Sequence, residues 1–160
     1  NILWRQAKHH FLDVVLGAPM GGIMLAGDLG RACNCRSIFA EKKITKLATP
    51  LSREESYLVI NRHELLKGDR VAIVEDVCNN FSTTDQLIDL VKSVGAEVVA
   101  IVCALNRSRL DECKGRIVVS LLHIPTDQYQ QDDPVVAEHI RTGNVVWKPK
   151  DRWDKLAAVS

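Results

Sequence analysis

VAIVEDVCNNFSTTDQLIDLVKSVGAEVV, residues 71–99, is the stretch on which the fold turns. Val71, Ala72, Ile73 and Val74 form an apolar run that ends in two adjacent carboxylates, Glu75 and Asp76. A polar turn with Asn79, Asn80, Ser82 and Thr83 follows. Leu87, Ile88, Val91 and Val94 then recur at helical spacing, Gly95 closes the helix, and a second apolar run occupies 98–102. Strand, turn, helix and strand make one βαβ unit. Ligands of such units sit beyond the carboxyl ends of the strands, the end at which Glu75 and Asp76 lie. Amides and hydroxyls at a helix N-terminus favour an anion, and neighbouring carboxylates suit hydroxyls or a metal. A phosphorylated sugar offers both.

Upstream, DVVLGAPMGGIMLA, residues 13–26, runs from another apolar strand through a Gly-rich turn into a helix. Gly17, Gly21 and Gly22 allow a tight backbone that turns its amides toward an anion. Outward from these two units the periodicity predicts a strand at 12–16, a helix at 21–33 and a strand at 36–41. A basic polar stretch, 42–55, precedes a strand at 56–61 and a turn at 62–69. The central unit reads as strand 70–76, helix 83–94 and strand 97–103. A charged turn at 106–115, a strand at 116–122 and a shorter helix near 133–142 complete the series. Such alternation predicts an α/β fold, a mostly parallel central sheet with helices on both faces. One domain is expected over 1–160, with its core at 12–125 and a C-terminal helix and tail at 126–160.

The 71–99 segment resembles the phosphoribosyl-diphosphate signature of type I phosphoribosyltransferases. There, hydrophobic residues lead into an acidic pair and a loop rich in threonine and glycine. Val74, Glu75, Asp76, Val77 and Thr84 fall on that pattern without a gap. Asn79 and Asn80 stand where threonines are usual, and Phe81 and Ser82 where glycines are usual. The 13–26 turn resembles the pyrophosphate loop of the same family. Within the family the chain is most similar to orotate phosphoribosyltransferases, through SIFAEKK (37–43), LKGDRV (66–71) and ALNRS (104–108). Asn106 there replaces the usual Asp. The resemblance covers residues 12–125.

The resemblance implies a transferase that joins orotate, or a related base, to the ribose of phosphoribosyl diphosphate and releases pyrophosphate. Gly17, Ala18, Gly21 and Gly22 would face the pyrophosphate, and Glu75 and Asp76 the ribose hydroxyls. Asn79, Asn80, Phe81, Ser82 and Thr83 would cradle the 5′-phosphate, with Phe81 turned outward. Arg107 would contact the base, since a guanidinium pairs with a carboxylate or a pyrimidine carbonyl. A mobile loop would bring Lys42, Lys43, Lys46 or Arg53 to the leaving group, where charge develops on the departing oxygens. Lys42, Lys43, Lys46 and Asp76 are the catalytic candidates. Mg²⁺ is expected, bound mainly through the substrate rather than by a protein metal site. A cytoplasmic homodimer follows, its interface including the segment after Gly22 and the strand ending at Glu41. The alternative is a non-catalytic relative that keeps the fold to bind a nucleotide or a regulatory partner.

Composition sets the outer limits. The chain has 160 residues, 46% hydrophobic, with 21 basic and 20 acidic side chains and a net charge of +1. That length supports a core, and the near-neutral balance argues against a nucleic-acid binder. No apolar run approaches the ~18 residues that span a membrane. Cys33, Cys35, Cys78, Cys103 and Cys113 form no CxxC set and read as reduced thiols, Cys78 as a small buried hydrophobe. His9, His10, His63, His123 and His139 lack metal-ligand spacing and are expected to be structural. Trp147 and Trp153, among Lys148, Lys150, Arg152 and Lys155, are expected to pack the tail. The chain begins at Asn1 without a methionine, and the family's N-terminal base-covering segment finds no match, so a processed or shortened chain is expected.

Overall fold

A computed structural model describes residues 12–47, 55–129, 132–146 and 151–152. Arg53, His9, His10, Trp147, Lys148, Lys150, Trp153 and Lys155 lie outside the described residues. The chain divides into two compact units, one of residues 1–43 and 56–127, the other of residues 44–55 and 128–160.

The first unit holds a six-stranded sheet whose strands are β1 (Val14–Gly17), β2 (Arg36–Phe39), β5 (Arg70–Cys78), β6 (Glu97–Asn106), β7 (Glu112–Cys113) and β8 (Arg116–His123). Their order is β2-β1-β5-β6-β8-β7. All neighbours are parallel except β7 and β8. Parallel strands are buried on both faces, which explains the unbroken apolar runs of β1, β5 and β6. Helix α1 (Gly22–Cys33) follows β1, and α2 (Ser82–Ser93) follows β5.

Alternation along the strands sorts the core into two layers. Val14, Leu16, Val71, Ile73, Ile101 and Cys103 pack with Leu87, Ile88 and Val91 of α2. Val15, Ala72, Val74, Val102 and Val119 pack with Ala26 and Leu29 of α1. The helices therefore cover opposite faces, as the sequence periodicity predicts. Each of the fully buried valine, leucine and isoleucine side chains contributes about 1.5–3 kcal/mol. The helix ends follow local chemistry. Asn34 caps α1 in the left-handed region at φ 55°, where asparagine is tolerated. Beyond α2, Gly95 takes φ 77° and its N–H donates to the Lys92 carbonyl at 2.9 Å.

Chain order makes β1 lead outward to β2 and β5 lead the other way to β6. The crevice beyond the carboxyl ends of β1 and β5 is thus a topological switch point, where open α/β sheets bind ligands. Gly17 lies beside Val74 in the parallel register, and the Ala18 N–H donates to the Val74 carbonyl at 2.8 Å. Both turns singled out in the sequence open onto this crevice.

Several boundaries differ from the sequence reading: the strand expected at 36–41 ends at Phe39 and the one expected at 56–61 is Glu55–Val59. The strands β5 and β6 run on to Cys78 and Asn106, because Val77 pairs with Leu105 and Cys78 with Asn106. The basic stretch is not irregular from Lys42. Strand β3 (Glu41–Lys46) and strand β4 (Glu55–Val59) form a separate two-stranded sheet. Ile44 and Thr45 are β-branched and suit a strand, and within the second unit Lys46 Nζ meets Glu55 Oε1 at 2.9 Å. That unit also carries helix α3 (Pro134–Arg141), which opens on a proline at its first turn.

Candidate functional site

Because Glu75 and Asp76 are consecutive on β5, their side chains point to opposite faces of the sheet. Asp76 shares its parity with Val74 and faces the α1 side. A Cβ added at Gly21 would stand 2.0 Å from Asp76 Oδ2, and one at Gly22 would stand 2.1 Å from the Val74 carbonyl oxygen. At Gly22 the obstacle is backbone and only glycine permits the approach, while at Gly21 a Cβ would displace the Asp76 carboxylate, so the first turn is pressed directly against the acidic pair. Gly17 serves the packing of α1, since its Cβ would meet Ile23 Cα at 2.9 Å. Ala18 is fully buried beneath the turn. The Pro19–Met20 peptide is cis.

Glu75 faces the other side and lines a cavity of about 140 Å³ with Cys78, Asn79, Asn80, Phe81, Ser82, Thr83 and Thr84. Burial, followed by the negative charge of Asp76, pushes its carboxyl up to about 7. A buried carboxylate beside a second one lacks a countercharge. A cation or hydroxyl donors at this point relieve that deficit.

The α2 ladder begins with the Asp85 N–H donating to the Phe81 carbonyl at 2.7 Å. The amides of Ser82, Thr83 and Thr84 precede that ladder, the orphan donors of a helix N-terminus. The Ser82 N–H turns to Asn80 Oδ1 at 3.2 Å. Asp85 would oppose an anion here, yet Lys114 Nζ lies 3.3 Å from its Oδ1 and the Cys113 thiol donates to the same carboxylate at 3.4 Å. Asn79 Oδ1 is buried without a hydrogen-bond partner, a polar atom aimed at the turn with its bonding unmet.

Phe81 is not turned outward. It is 6% exposed, and its ring joins the α2-side core with Cys78 and Leu87. Its backbone takes φ 59°, the conformation a glycine supplies there at no steric cost. Left-handed backbone costs about 1–2 kcal/mol, and burying the ring returns about 1.5–3 kcal/mol. The ring thus anchors the turn from below and leaves the cavity open.

Arg107 reaches the same end of the sheet. Its backbone N–H donates to the Cys78 carbonyl at 2.8 Å, and its Nε donates to Thr126 Oγ1 at 2.8 Å. Lys42 lines a second cavity, of about 350 Å³, with Pro19, Met20, Ile23 and Glu41. That places one candidate lysine beside the Gly-rich turn. Lys43 pairs with Glu41 at 3.4 Å and Lys46 with Glu55 at 2.9 Å, and both lysines are exposed. Of the three, Lys42 is the one that lines a cavity beside that turn. Cys78 is buried, and the hydrogen bond its thiol donates to Cys103, together with burial, raises it, which fits an inert packing role. His63 stacks edge-on against Phe39, His123 bridges Asp111 and Ser108, and Asn144 holds His139.

Thr84, Asn106 and Thr126 have no assigned role in the sequence reading. Thr84 is 1% exposed inside the turn cavity, and its signal is its place at the third position of a helix after a polar turn. Asn106 and Thr126 act through loop contacts that no local pattern encodes.

These features find counterparts among known proteins. A phosphoribosyl transferase domain matches residues 6–139. The orotate phosphoribosyltransferase of Caldicellulosiruptor saccharolyticus is 31% identical over 135 residues, which are 83% of this chain and 65% of that protein. The orotate phosphoribosyltransferase of Caldicellulosiruptor bescii is 30% identical over 146 residues, 91% of this chain and 70% of that protein. The chain thus spans 65% to 70% of the length of these two relatives. The crystal structure of adenine phosphoribosyltransferase from Thermoanaerobacter pseudethanolicus has the same fold, with a TM-score of 0.63 and 21% identity over 77% of this chain and 76% of that one. The acidic pair, the two turns that flank it and the match along most of its length agree: the chain belongs to the phosphoribosyl transferase domain family.

Proposed function

We propose that this chain transfers the ribose 5-phosphate of phosphoribosyl diphosphate to orotate, or a related nucleobase, and releases pyrophosphate. The observation that carries the reading is the contact of Gly21 and Gly22 with Asp76 and Val74. It joins a diphosphate-sized turn, an acidic pair and a helix N-terminus in one crevice. The relatives named orotate phosphoribosyltransferase support orotate as the base.

Each residue then has a task. The amides of Thr83 and Thr84 and the hydroxyls of Ser82 and Thr83 hold the 5′-phosphate. Asp76 and the ionised Glu75 hold the ribose hydroxyls and stabilise positive character on the ring as the bond to the diphosphate breaks. The Gly17–Gly22 turn orients the diphosphate, and Lys42 meets the charge that grows on it. Arg107 fixes the base opposite the anomeric carbon. Mg²⁺ fits the crevice, because the buried Glu75 carboxyl stands beside a second negative charge, the exposed Asp76. Among the described residues no three His, Cys, Asp or Glu side chains converge on a metal, so Glu75 or Asp76 would share the ion with substrate oxygens. Bound there, the ion would neutralise the diphosphate.

A homodimer belongs to the same proposal, supported by Met20 and Met24, 84% and 83% exposed at the start of α1. Five free cysteines support a reducing, cytoplasmic setting. Among the described residues no helix is long and apolar enough to cross a membrane. The test is incubation with phosphoribosyl diphosphate, Mg²⁺ and orotate, followed by chromatography. Formation of orotidine 5′-phosphate supports the assignment. Binding of phosphoribosyl diphosphate without turnover of any pyrimidine or purine base would replace the transferase by a nucleotide-binding regulator.

A further inference from the structure

The base end of the crevice contains a bonded loop that gives Arg107 a fixed direction. Asn106 is 1% exposed at the end of β6. Its Nδ2 donates to the Leu110 carbonyl at 2.8 Å. Its Oδ1 accepts from the Ser108 N–H at 3.0 Å and from the Ser108 hydroxyl at 2.7 Å. One side chain therefore spans the loop 107–110 with a donor and an acceptor. An aspartate supplies only acceptors when ionised and would set its charge against the Leu110 carbonyl. The amide is what this loop requires.

A second segment closes over it. The Ile124 N–H donates to the Asn106 carbonyl at 2.9 Å, and the Thr126 N–H donates to the Arg107 carbonyl at 3.0 Å. The Thr126 hydroxyl then accepts from Arg107 Nε at 2.8 Å. That bond occupies the inner donor of the guanidinium. Its two terminal Nη groups hold no ion pair or hydrogen bond among the described residues, although the residue is half-buried. A guanidinium fixed at Nε and open at both Nη groups presents a planar pair of donors, which matches a carboxylate or an amide-like carbonyl pair.

We infer that Asn106 and Thr126 are positioning residues for Arg107, and that they set its affinity for the acidic or carbonyl edge of the base without touching the base themselves. This rests on the transferase reading given above. The variants are Thr126→Val, which removes the acceptor at constant shape, and Thr126→Ser, which keeps it. Two readouts apply: the Arg107 Nε–H resonance in the free protein by NMR, and KM for orotate against KM for phosphoribosyl diphosphate. Thr126→Val loses the protected resonance and raises KM for orotate about tenfold, with KM for phosphoribosyl diphosphate unchanged. Thr126→Ser restores both. Asn106→Asp gives the same split, with the loss growing as pH rises through the range in which its carboxyl ionises. A protected resonance retained in Thr126→Val overturns the inference. So does an unchanged orotate KM in Thr126→Val while Arg107→Ala raises it. If Arg107→Ala leaves orotate handling unchanged, the assignment of Arg107 to the base falls, and the inference falls with it.

Discussion

The two turns at the switch point solve one problem by different chemistry. The turn after β1 is built from absence: Gly21 and Gly22 have no room for a Cβ, because a carboxylate and a backbone carbonyl occupy that space. The turn after β5 is built from presence: Phe81 adopts a left-handed backbone and is held there by its buried ring. Steric exclusion by backbone, as at Gly22, admits one residue type. A conformational penalty of a kcal/mol or two admits any residue whose side chain returns as much. The glycine turn is therefore strict in sequence, and the asparagine-phenylalanine turn is free to depart from the glycines usual in the family.

The contrast sets a ladder of mutational effects. The largest belongs to Phe81→Ala, which keeps the left-handed backbone but loses the ring, at about 3–5 kcal/mol by chemical denaturation. Phe81→Gly should cost about 1 kcal/mol less, since glycine relieves the backbone. Equal losses in the two variants would show that φ carries no cost at this turn. Gly22→Ala comes next, with about 1–3 kcal/mol of overpacking against the immobile Val74 carbonyl. Gly21→Ala should be milder in stability, because the Asp76 side chain rotates away, yet it should abolish phosphoribosyl diphosphate binding. Retained binding in a folded Gly21→Ala protein would separate the first turn from the site.

A smaller effect concerns pH. Glu75 is raised from 4.5 to about 7 in the folded protein. A raised carboxyl favours the folded state while it is protonated, so that contribution is complete below pH 4.5 and is lost as pH rises to about 7. Over that window Glu75 removes about 2–3 kcal/mol from stability. Glu75→Gln should flatten the profile and make the apoprotein more stable at pH 8, while weakening substrate binding. A Glu75→Gln profile that parallels the parent's would assign the titration to another group.

Much of this was legible in the chain. Apolar runs at Val71–Val74 and 98–102, with Leu87, Ile88 and Val91 between them, specify the βαβ unit by period alone. The acidic pair and both turns stand where that unit needs them. What the sequence did not disclose depends on the third dimension. The inward direction of Phe81 follows from a neighbouring core, not from its position in a polar turn. Lys42–Lys46 reads as a loop by composition, but cross-strand pairing makes it a strand. Thr126 is distant in sequence from Arg107, and only the return of β8 brings them together.

The central claim is that one phosphorylated ribose spans both turns with the acidic pair between them. Calorimetric titration of phosphoribosyl diphosphate with Mg²⁺ into the parent and the folded Glu75→Ala/Asp76→Ala double variant tests it most directly. Binding in the parent, with proton release below about pH 7 as Glu75 ionises, and none in the double variant is the expected result. Equal affinity in the two proteins would contradict the account.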